Sequence, residues 1–369
     1  MAGDSAEVVV IGGGATGTSA AYHLTELGIT DVVLLEREGL GAGSTSKSAG
    51  GIRAQFADEL NVLIALRSMA EFDAFPDRLG TEIGFHRAGY LFLLDNAADL
   101  GRFREALELQ RSLGVPSSEL TVEEAATRVP ALDTDGLVGA TFCPLDGYAT
   151  PEAVVQGYAA AAVRAGVEVR QGTPAIGIAR NAGRIAAVET PAGRIATETV
   201  VCAGGTWSAE VGALAGVQIP VAGERRWMHY TPEDGGLPDP LPLTIDFSTA
   251  FYFHREGPGL VFGGREQTLD DLAEPAVRRL PLLAELPVQT SWWGYYEMSP
   301  DHNALVGEAA EPTRFLYATG FSGHGFQQAP AVGEHLAELV AGRPPTLDLS
   351  PFSLERFARG TPREEAFVI

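Results

Sequence analysis

The chain has 369 residues, of which 45% are hydrophobic and 20% charged, and its 48 acidic against 26 basic residues give a formal net charge of −22. This composition is typical of a globular protein with room for two domains, and the acidic excess disfavours nucleic acid and anionic membranes as partners. The first apolar segment begins at Val8 and no apolar run is long enough to span a bilayer. We therefore expect no secretory signal, no membrane segment and a cytoplasmic location.

The chain opens on a strand, a glycine turn and a helix. Residues 8–11 are wholly apolar, the run GGGATG occupies 12–17, and a helical pattern follows over 18–27. A second apolar strand over 31–36 ends in Glu36. An acid about twenty residues after the last glycine is typical of dinucleotide binding, whereas a glycine turn alone is often only structural. The segment predicts a site for FAD or NAD.

Each part of this motif has a physical reason. Gly12 permits a tight turn, Gly14 lets the backbone approach a diphosphate, and Gly17 lets the helix pack closely on the strand. The N–H groups at the start of the helix face the phosphates. The Glu36 carboxylate accepts hydrogen bonds from an adenosine ribose and repels a 2′-phosphate, so the motif disfavours NADP.

The next segment, 39–53, is dense in glycine and small hydroxyl residues. Such a loop leaves room for a large planar ligand and offers it many hydrogen-bond donors, although a flexible surface loop has a similar composition. Apolar residues at helical spacing then predict a helix over 58–79.

The pattern changes after this helix and later returns. A strand over 89–94 and an amphipathic helix over 100–113 indicate the first half of a substrate domain within 80–148. A helix over 150–165 and a short strand over 167–169 lead back to the nucleotide domain.

Three further short strands are predicted over 185–188, 195–197 and 199–202. The last of them delivers residues 203–208 at its carboxyl end, which is where parallel sheets bind their ligands.

The stretch 220–297 is rich in aromatic residues, and its alternation predicts a sheet. Single aromatic rings usually belong to a core, but several on one antiparallel sheet could roof a planar cofactor. A second glycine-rich loop, 317–330, precedes a helix predicted over 331–340. The amino end of that helix favours the negative charge that a flavin develops when it is reduced.

The chain has two cysteines, Cys143 and Cys202, which lie far apart in sequence and without a histidine cluster. This spacing indicates neither a metal site nor a disulfide framework, and both residues are expected to be small buried side chains.

Taken together, these segments resemble the D-amino-acid-oxidase-like flavoprotein group, of the sarcosine oxidase and glycine oxidase type, and the flavin subunits of proline dehydrogenases. The resemblance covers nearly the whole chain. Its carriers are residues 8–17 with Glu36, the loop 43–53, residues 203–208, the sequence Ser-Pro-Asp at 299–301, and the loop 320–326.

The resemblance implies an α/β plus α+β protein with two domains. A discontinuous Rossmann-type FAD-binding domain is expected over 1–80, 150–219 and 299–369. A mainly antiparallel-sheet substrate domain over 81–149 and 220–298 is expected to roof the exposed face of the flavin.

The resemblance also assigns residues to the site. Arg53 matches a position whose guanidinium pairs with the substrate carboxylate, with a structural ion pair as the alternative. Tyr252 matches a tyrosine that caps the same carboxylate, with a core position as the alternative. His324 lies in the loop under the pyrimidine end of the flavin, where it donates to the flavin or satisfies its own loop. The residues expected to contact FAD are Gly12, Gly14, Ala15, Thr16, Gly17, Glu36, Arg37, Ser44, Thr45, Ser46, Lys47, Gly50, Gly51, Ala203, Gly204, Trp207, Gly323, His324, Gly325, Phe326 and Gln327.

The chain departs from monomeric sarcosine oxidases at three points. Gln327 stands where those enzymes have a lysine that helps to hold the carboxylate. No cysteine lies late in the substrate domain, where they attach FAD, so we predict noncovalent FAD. No lysine follows Lys47, whereas those enzymes use a later lysine to activate oxygen.

The resemblance implies oxidation of the C–N bond of an amino acid or N-substituted glycine by hydride transfer to the flavin, giving an imine that hydrolyses. Oxygen is the expected electron acceptor. Two alternatives remain open at this stage, namely a dehydrogenase that passes electrons to a partner protein or quinone, and a non-catalytic or NAD-linked nucleotide-binding protein.

Overall fold

A computed structural model describes residues 4–265 and 268–368 of the chain. The α-helices are α1 (Ala15–Glu26), α2 (Glu59–Leu79), α3 (Ala97–Ser112), α4 (Val122–Arg128), α5 (Pro151–Arg164), α6 (Ser208–Ala215), α7 (Leu269–Arg279), α8 (Gly325–Val340) and α9 (Glu355–Ala358). The strands are β1 (Asp4–Ser5), β2 (Val8–Ile11), β3 (Val32–Leu35), β4 (Gly51–Ile52), β5 (Tyr90–Leu94), β6 (Ser118–Leu120), β7 (Gly139–Cys143), β8 (Gly147–Tyr148), β9 (Glu168–Arg170), β10 (Gly177–Asn181), β11 (Arg184–Thr190), β12 (Gly193–Ala196), β13 (Thr199–Cys202), β14 (Ala222–Thr231), β15 (Leu243–Asp246), β16 (Phe251–Glu256), β17 (Gly259–Gly263), β18 (Thr290–Met298), β19 (Leu305–Glu308) and β20 (Phe315–Thr319).

A six-stranded sheet carries the amino-terminal motif. Its strand order is β19-β20-β13-β2-β3-β9, and all neighbours are parallel except β19 and β20. Strands β2, β3 and β13 are buried throughout, as expected for strands that are apolar apart from Thr199 and are covered on both faces. Because the strands are parallel, the glycine turn, Glu36, Ala203 and Gly320 follow strand ends at one edge of the sheet. This architecture confirms the predicted Rossmann-type fold.

Helix α1 begins at Ala15, three residues before the predicted start. The preceding Gly14 is extended (φ −80°, ψ −172°), so the chain passes directly from the turn into the helix. Residues 15–17, which the sequence pattern assigns to the glycine turn, therefore belong to the first turn of α1. Nearly the whole of α1 is buried, and a Cβ on Gly333 of α8 would lie 2.2 Å from the Ser19 Oγ of α1, so these two helices pack in close contact.

An eight-stranded sheet is built from residues 90–143 and 222–298, in the order β18-β14-β17-β16-β15-β5-β7-β6. Its neighbours are antiparallel except β5 and β15, which are parallel. Alternation divides its side chains between two clusters, so that Phe251 and Phe253 pack on one face and Tyr252 on the other. The predicted division into two domains stays a proposal, supported by the separate sheets to which these segments belong.

Helix α8 begins at Gly325, six residues before the predicted start, and contains Pro330. A proline removes one backbone donor and usually marks a boundary, which is why the sequence pattern predicts a later start. Burial of this helix along nearly its whole length outweighs the missing hydrogen bond. Its amino end therefore lies within the Gly-His-Gly loop rather than after it.

A small sheet of β1, β12, β11 and β10 and the pair β4 and β8 complete the described strands. Within the described ranges no helix is both long enough and apolar enough to cross a membrane.

Candidate functional site

A cavity of about 450 Å³ lies between the ligand-binding edge of the six-stranded sheet and the Tyr252 face of the eight-stranded sheet. The predicted residues that line it are Gly12, Gly14, Ala15, Thr16, Glu36, Arg37, Ser44, Thr45, Lys47, Gly51, Arg53, Ala203, Gly204, Trp207, Tyr252, Gly323, His324, Gly325, Phe326 and Gln327. Segments separated by up to 315 residues of sequence thus meet around one space.

Three predicted residues, Gly17, Ser46 and Gly50, lie outside the described lining. A Cβ on Gly17 would stand 1.9 Å from the Gly12 carbonyl oxygen, which places its effect in helix-to-strand packing, as its predicted reason requires. Gly50 has a φ of +70°, and a Cβ there would stand 2.0 Å from the Ala149 carbonyl oxygen. These two glycines bring backbone segments together behind the cavity wall.

The amino end of α1 opens on the cavity. Gly14 supplies no side-chain cap, and no acidic residue occurs in the first turn. The backbone N–H of Ala15 donates to the Thr45 Oγ1 at 3.2 Å, which fixes the 39–53 loop against the helix start. The other N–H groups of the first helical turn and the helix dipole together favour a diphosphate at this position.

One end of the cavity is formed by the residues after β3. Glu36 accepts from the backbone N–H groups of Gly13 (2.7 Å) and Glu38 (2.8 Å), which holds its carboxylate at the cavity wall. A carboxylate has acceptor positions beyond these two, as ribose binding requires. The Arg37 Cζ lies 3.7 Å from the centroid of the Trp207 ring. This end suits an adenosine.

The opposite end is roofed by the eight-stranded sheet. Tyr252 and Tyr296 line it together with residues that the sequence analysis did not single out: Tyr90, Met228, Leu243 and Ile245. Burial raises the pKa of Tyr252 and Tyr296, so both hydroxyls stay protonated. The apolar and aromatic residues over 90–94 and 292–296 indicate a sheet with buried side chains, but this pattern does not distinguish a cavity wall from a core.

Arg53 is 3% exposed and its guanidinium is already bonded. Nη1 donates to the Gln55 carbonyl, while Nη2 donates to the Phe367 carbonyl at 2.6 Å and lies 2.9 Å from the His324 Nε2. Burial and the charge of Arg53 hold the pKa of His324 well below its usual range. His324 is therefore neutral, and its Nε2 accepts a hydrogen bond from Arg53.

Gln327, which stands at the position of a family lysine, supports the same element. Its Oε1 accepts from the backbone N–H of Arg53 at 2.6 Å. The amide thus joins the start of α8 to Arg53, the residue that follows β4.

Glu297 is a cavity residue that sequence reasoning missed. It lies on β18, and the Thr319 Oγ1 lies 2.8 Å from its Oε2 and 2.9 Å from the Gly205 carbonyl oxygen. One hydroxyl proton cannot serve both acceptors, whereas a protonated Glu297 can donate to Thr319, which then donates to Gly205. In agreement with this arrangement, burial raises the pKa of Glu297 to about 7.

We expect Glu297→Gln to remove one component of the pH dependence of stability. The pKa of Glu297 is raised on folding from 4.5 to about 7, so its ionisation opposes folding progressively as pH rises through this range. The contribution amounts to about 3 kcal/mol of unfolding free energy. Denaturant unfolding should show that the free energy of unfolding of the variant, relative to that of the wild type, is higher at pH 8 than at pH 5.

The control for this prediction is Glu210→Gln, because Glu210 is an exposed carboxylate that also lines the cavity. Its difference from the wild type should be equal at both pH values. Parallel pH profiles for the wild type and Glu297→Gln would contradict the prediction.

Both cysteines are buried, in β7 and β13, and neither is among the described residues that line the cavity. Burial raises the pKa of Cys202 to about 11 and raises that of Cys143 further. Thiols held in the protonated form are poor nucleophiles for attaching a cofactor. Within the described ranges no cluster of three or more potential metal ligands occurs.

Comparison with known proteins places these observations among flavoenzymes. Residues 7–339 match the family described as FAD dependent oxidoreductase. Human mitochondrial sarcosine dehydrogenase is 30% identical over 381 residues, which span 96% of this chain and 41% of that protein. The chain therefore spans less than half the length of this relative.

Two crystal structures share the fold over their whole length. L-proline dehydrogenase from P. horikoshii superposes with a TM-score of 0.90 at 32% identity, covering 98% of this chain and 100% of that one. Glycine oxidase from Geobacillus kaustophilus superposes with a TM-score of 0.85 at 25% identity, covering 96% and 99%.

Proposed function

The chain belongs to the family of FAD dependent oxidoreductases, and from this premise we propose that it oxidises the C–N bond of an amino acid or an N-substituted glycine. The observation that carries the proposal is the single cavity that joins a dinucleotide-binding edge to a tyrosine-lined roof. Three relatives or neighbours described above are a sarcosine dehydrogenase, an L-proline dehydrogenase and a glycine oxidase, and all three names describe amino-acid substrates.

The residues present fit FAD. The uncapped start of α1 would hold the diphosphate, Glu36 the ribose, and the loops around Ala203 and Gly323 the isoalloxazine, without a covalent bond. When bound, FAD supplies an acceptor for a hydride from the substrate. We propose Arg53, Tyr252 and His324 as residues of the reactive end.

The chain itself orients the substrate, excludes water from the site and supplies positive charge. Tyr90, Met228, Leu243, Ile245 and Tyr252 form a largely apolar roof that excludes water from the reacting carbon. Arg53 lies in this region without a carboxylate in salt-bridge contact among the described residues. The buried carboxylates of Glu365 and Asp146 act on Arg53 only from beyond salt-bridge distance, so its positive charge can still favour a substrate carboxylate in the cavity.

We propose oxygen as the electron acceptor, with a partner protein or quinone as the alternative. The alternative is favoured by the similarity to two dehydrogenases. Lys47, the chain's one lysine, lines the cavity, and a Cβ on Gly294 of β18 would lie 2.6 Å from its Cβ.

A cytoplasmic location also remains a prediction.

The test is the visible spectrum of the purified protein under anaerobic conditions, before and after addition of glycine, sarcosine, proline and larger N-carboxymethyl amines. We expect an oxidised flavin spectrum that bleaches with at least one of them. Recovery on admitting air supports oxygen, whereas persistent bleaching that a dye reverses supports the dehydrogenase. A flavoprotein that none of these amines bleaches would refute the proposed reaction.

A further inference from the structure

A second arginine lies at the reactive end of the cavity. Arg226 is on β14, two residues before Met228, and both line the cavity. Its side chain is 12% exposed, and its Cζ lies 5.1 Å from the centroid of the Tyr296 ring. Burial raises the pKa of Tyr296, and the positive charges of Arg226 and Arg53 oppose that rise, so this tyrosine lies within the field of both guanidinium groups.

The donors of Arg226 are mostly free. Nη2 donates to the Glu224 Oε2 at 3.0 Å and Nη1 donates to the Arg225 carbonyl at 3.2 Å. Nε is buried and has no partner among the described residues. Three of the five N–H donors of a guanidinium therefore remain. Its counter-ion Glu224 is 51% exposed, and such a screened contact is weak and easily exchanged.

Arg53 offers a different set of donors. Both N–H bonds of its Nη2 are engaged, by the Phe367 carbonyl and by the His324 Nε2. A guanidinium grips a carboxylate through two parallel N–H bonds, either Nη1 with Nη2 or Nε with Nη2. Both pairings need Nη2. Arg53 can therefore contribute charge to the cavity but cannot form the fork without losing His324 or Phe367.

We propose that Arg226 is the residue that hydrogen-bonds the substrate carboxylate, and that Arg53 is a positioning residue for the His324 loop. This assignment rests on the proposed function and specifies the substrate class as amino acids with a free carboxylate, held at the β14 wall. It differs from the family resemblance, which gives the carboxylate to Arg53. The Nε donor of Arg226, unpartnered in the described protein, then finds an acceptor when substrate binds.

The experiment compares two ligands that the flavin cannot oxidise. In (methylthio)acetate a thioether sulfur replaces the amine, and in (methylthio)acetamide the carboxylate is also replaced by a neutral amide. Each ligand is titrated into the oxidised holoprotein, and the change in flavin absorbance yields Kd. We expect the wild type to prefer the acid by about 100-fold, because the loss of a buried charge pair costs this much or more.

Arg226→Gln should reduce the preference for the acid to within a few-fold. The matched control is Arg225→Gln, because the neighbouring Arg225 is exposed and its Cζ lies 4.6 Å from the Trp293 ring centroid. That variant should keep the full preference. Arg53→Lys, if it retains FAD, should also keep it, because lysine preserves the charge that Arg53 contributes.

An undiminished preference in Arg226→Gln would overturn the assignment, and so would a wild type that does not prefer the acid. If Arg226→Gln does not retain FAD, Arg226→Met is measured instead, because methionine also removes the charge and the donors, and an undiminished preference there would equally overturn the assignment. The titration involves no turnover. Failure of the assignment is thereby distinguished from failure of the proposed oxidation, which the anaerobic bleaching tests separately.

Discussion

Replacing Gly17 by alanine is expected to give a protein that no longer purifies with FAD. A Cβ at this position would lie 1.9 Å from the Gly12 carbonyl oxygen and 3.3 Å from the Ala203 Cβ. The shortest contact is with the backbone of Gly12, which cannot rotate away as a side chain can, so α1 must move away from β2 and the N–H groups at its start lose their position. Overpacking of this kind costs about 3 kcal/mol. If this destabilisation affects the FAD-bound protein and not the FAD-free protein, FAD binds about 100-fold more weakly.

The measurement is the flavin-to-protein absorbance ratio after dialysis, together with the Kd of added FAD. Gly101→Ala makes the same chemical change within α3, where no atom outside the local helix lies within 4 Å of the new methyl group. It should retain FAD and gain about 0.5–1 kcal/mol of stability from the better helix propensity of alanine. Stoichiometric FAD in Gly17→Ala would show that α1 does not position the cofactor.

The second large effect is expected at a buried ion pair outside the cavity. The Asp301 carboxylate receives two hydrogen bonds from the Arg356 guanidinium, both 2.8 Å long, and the two side chains are 4% and 3% exposed. Arg356→Met leaves Asp301 buried without its partner. Loss of one member of a buried pair costs about 3–5 kcal/mol. For a chain of 369 residues this corresponds to a Tm lower by roughly 4–6 °C.

Arg359→Met is the control, because Arg359 lies three residues later on an exposed surface. Its effect should stay within about 0.5 kcal/mol. Burial alone would raise the pKa of Asp301, but the bonds from Arg356 and the Arg363 backbone hold it below 3.8. The stabilisation is present at neutral pH and lost as pH falls through that lowered pKa. A deficit in Arg356→Met as large at pH 3 as at pH 7 would contradict this account.

Sequence patterns predicted the parts of the fold that depend on local spacing. Gly12, Gly17 and Glu36 lie at the positions that the strand, turn and second strand predict. Their roles depend on steric and electrostatic contacts within this one motif, so local sequence is enough to place them. The predicted start of α8 was wrong by six residues. A proline such as Pro330 usually marks a helix boundary, but burial of α8 in the tertiary structure stabilises the helix on both sides of it. Helix boundaries that depend on tertiary packing cannot be predicted from helix propensity.

The reactive end was predicted less completely. Glu297 and Arg226 lie in an aromatic stretch whose alternation indicates a sheet but not the direction of each face. The bonding of Arg53 was equally out of reach, because its acceptor Phe367 lies 314 residues away. No local pattern reports whether a cation's donors are free, and that property separates Arg53 from Arg226.

The bond between Arg53 and the Phe367 carbonyl also bears on how the protein is made. A ribosome that adds about 5–20 residues per second needs roughly 20–70 s to go from the glycine turn to residue 367. Throughout that interval the nascent chain has its nucleotide motif but lacks the acceptor that holds the Arg53 side chain. The Arg53 guanidinium therefore reaches its final hydrogen-bonded position only after residue 367 has been synthesised.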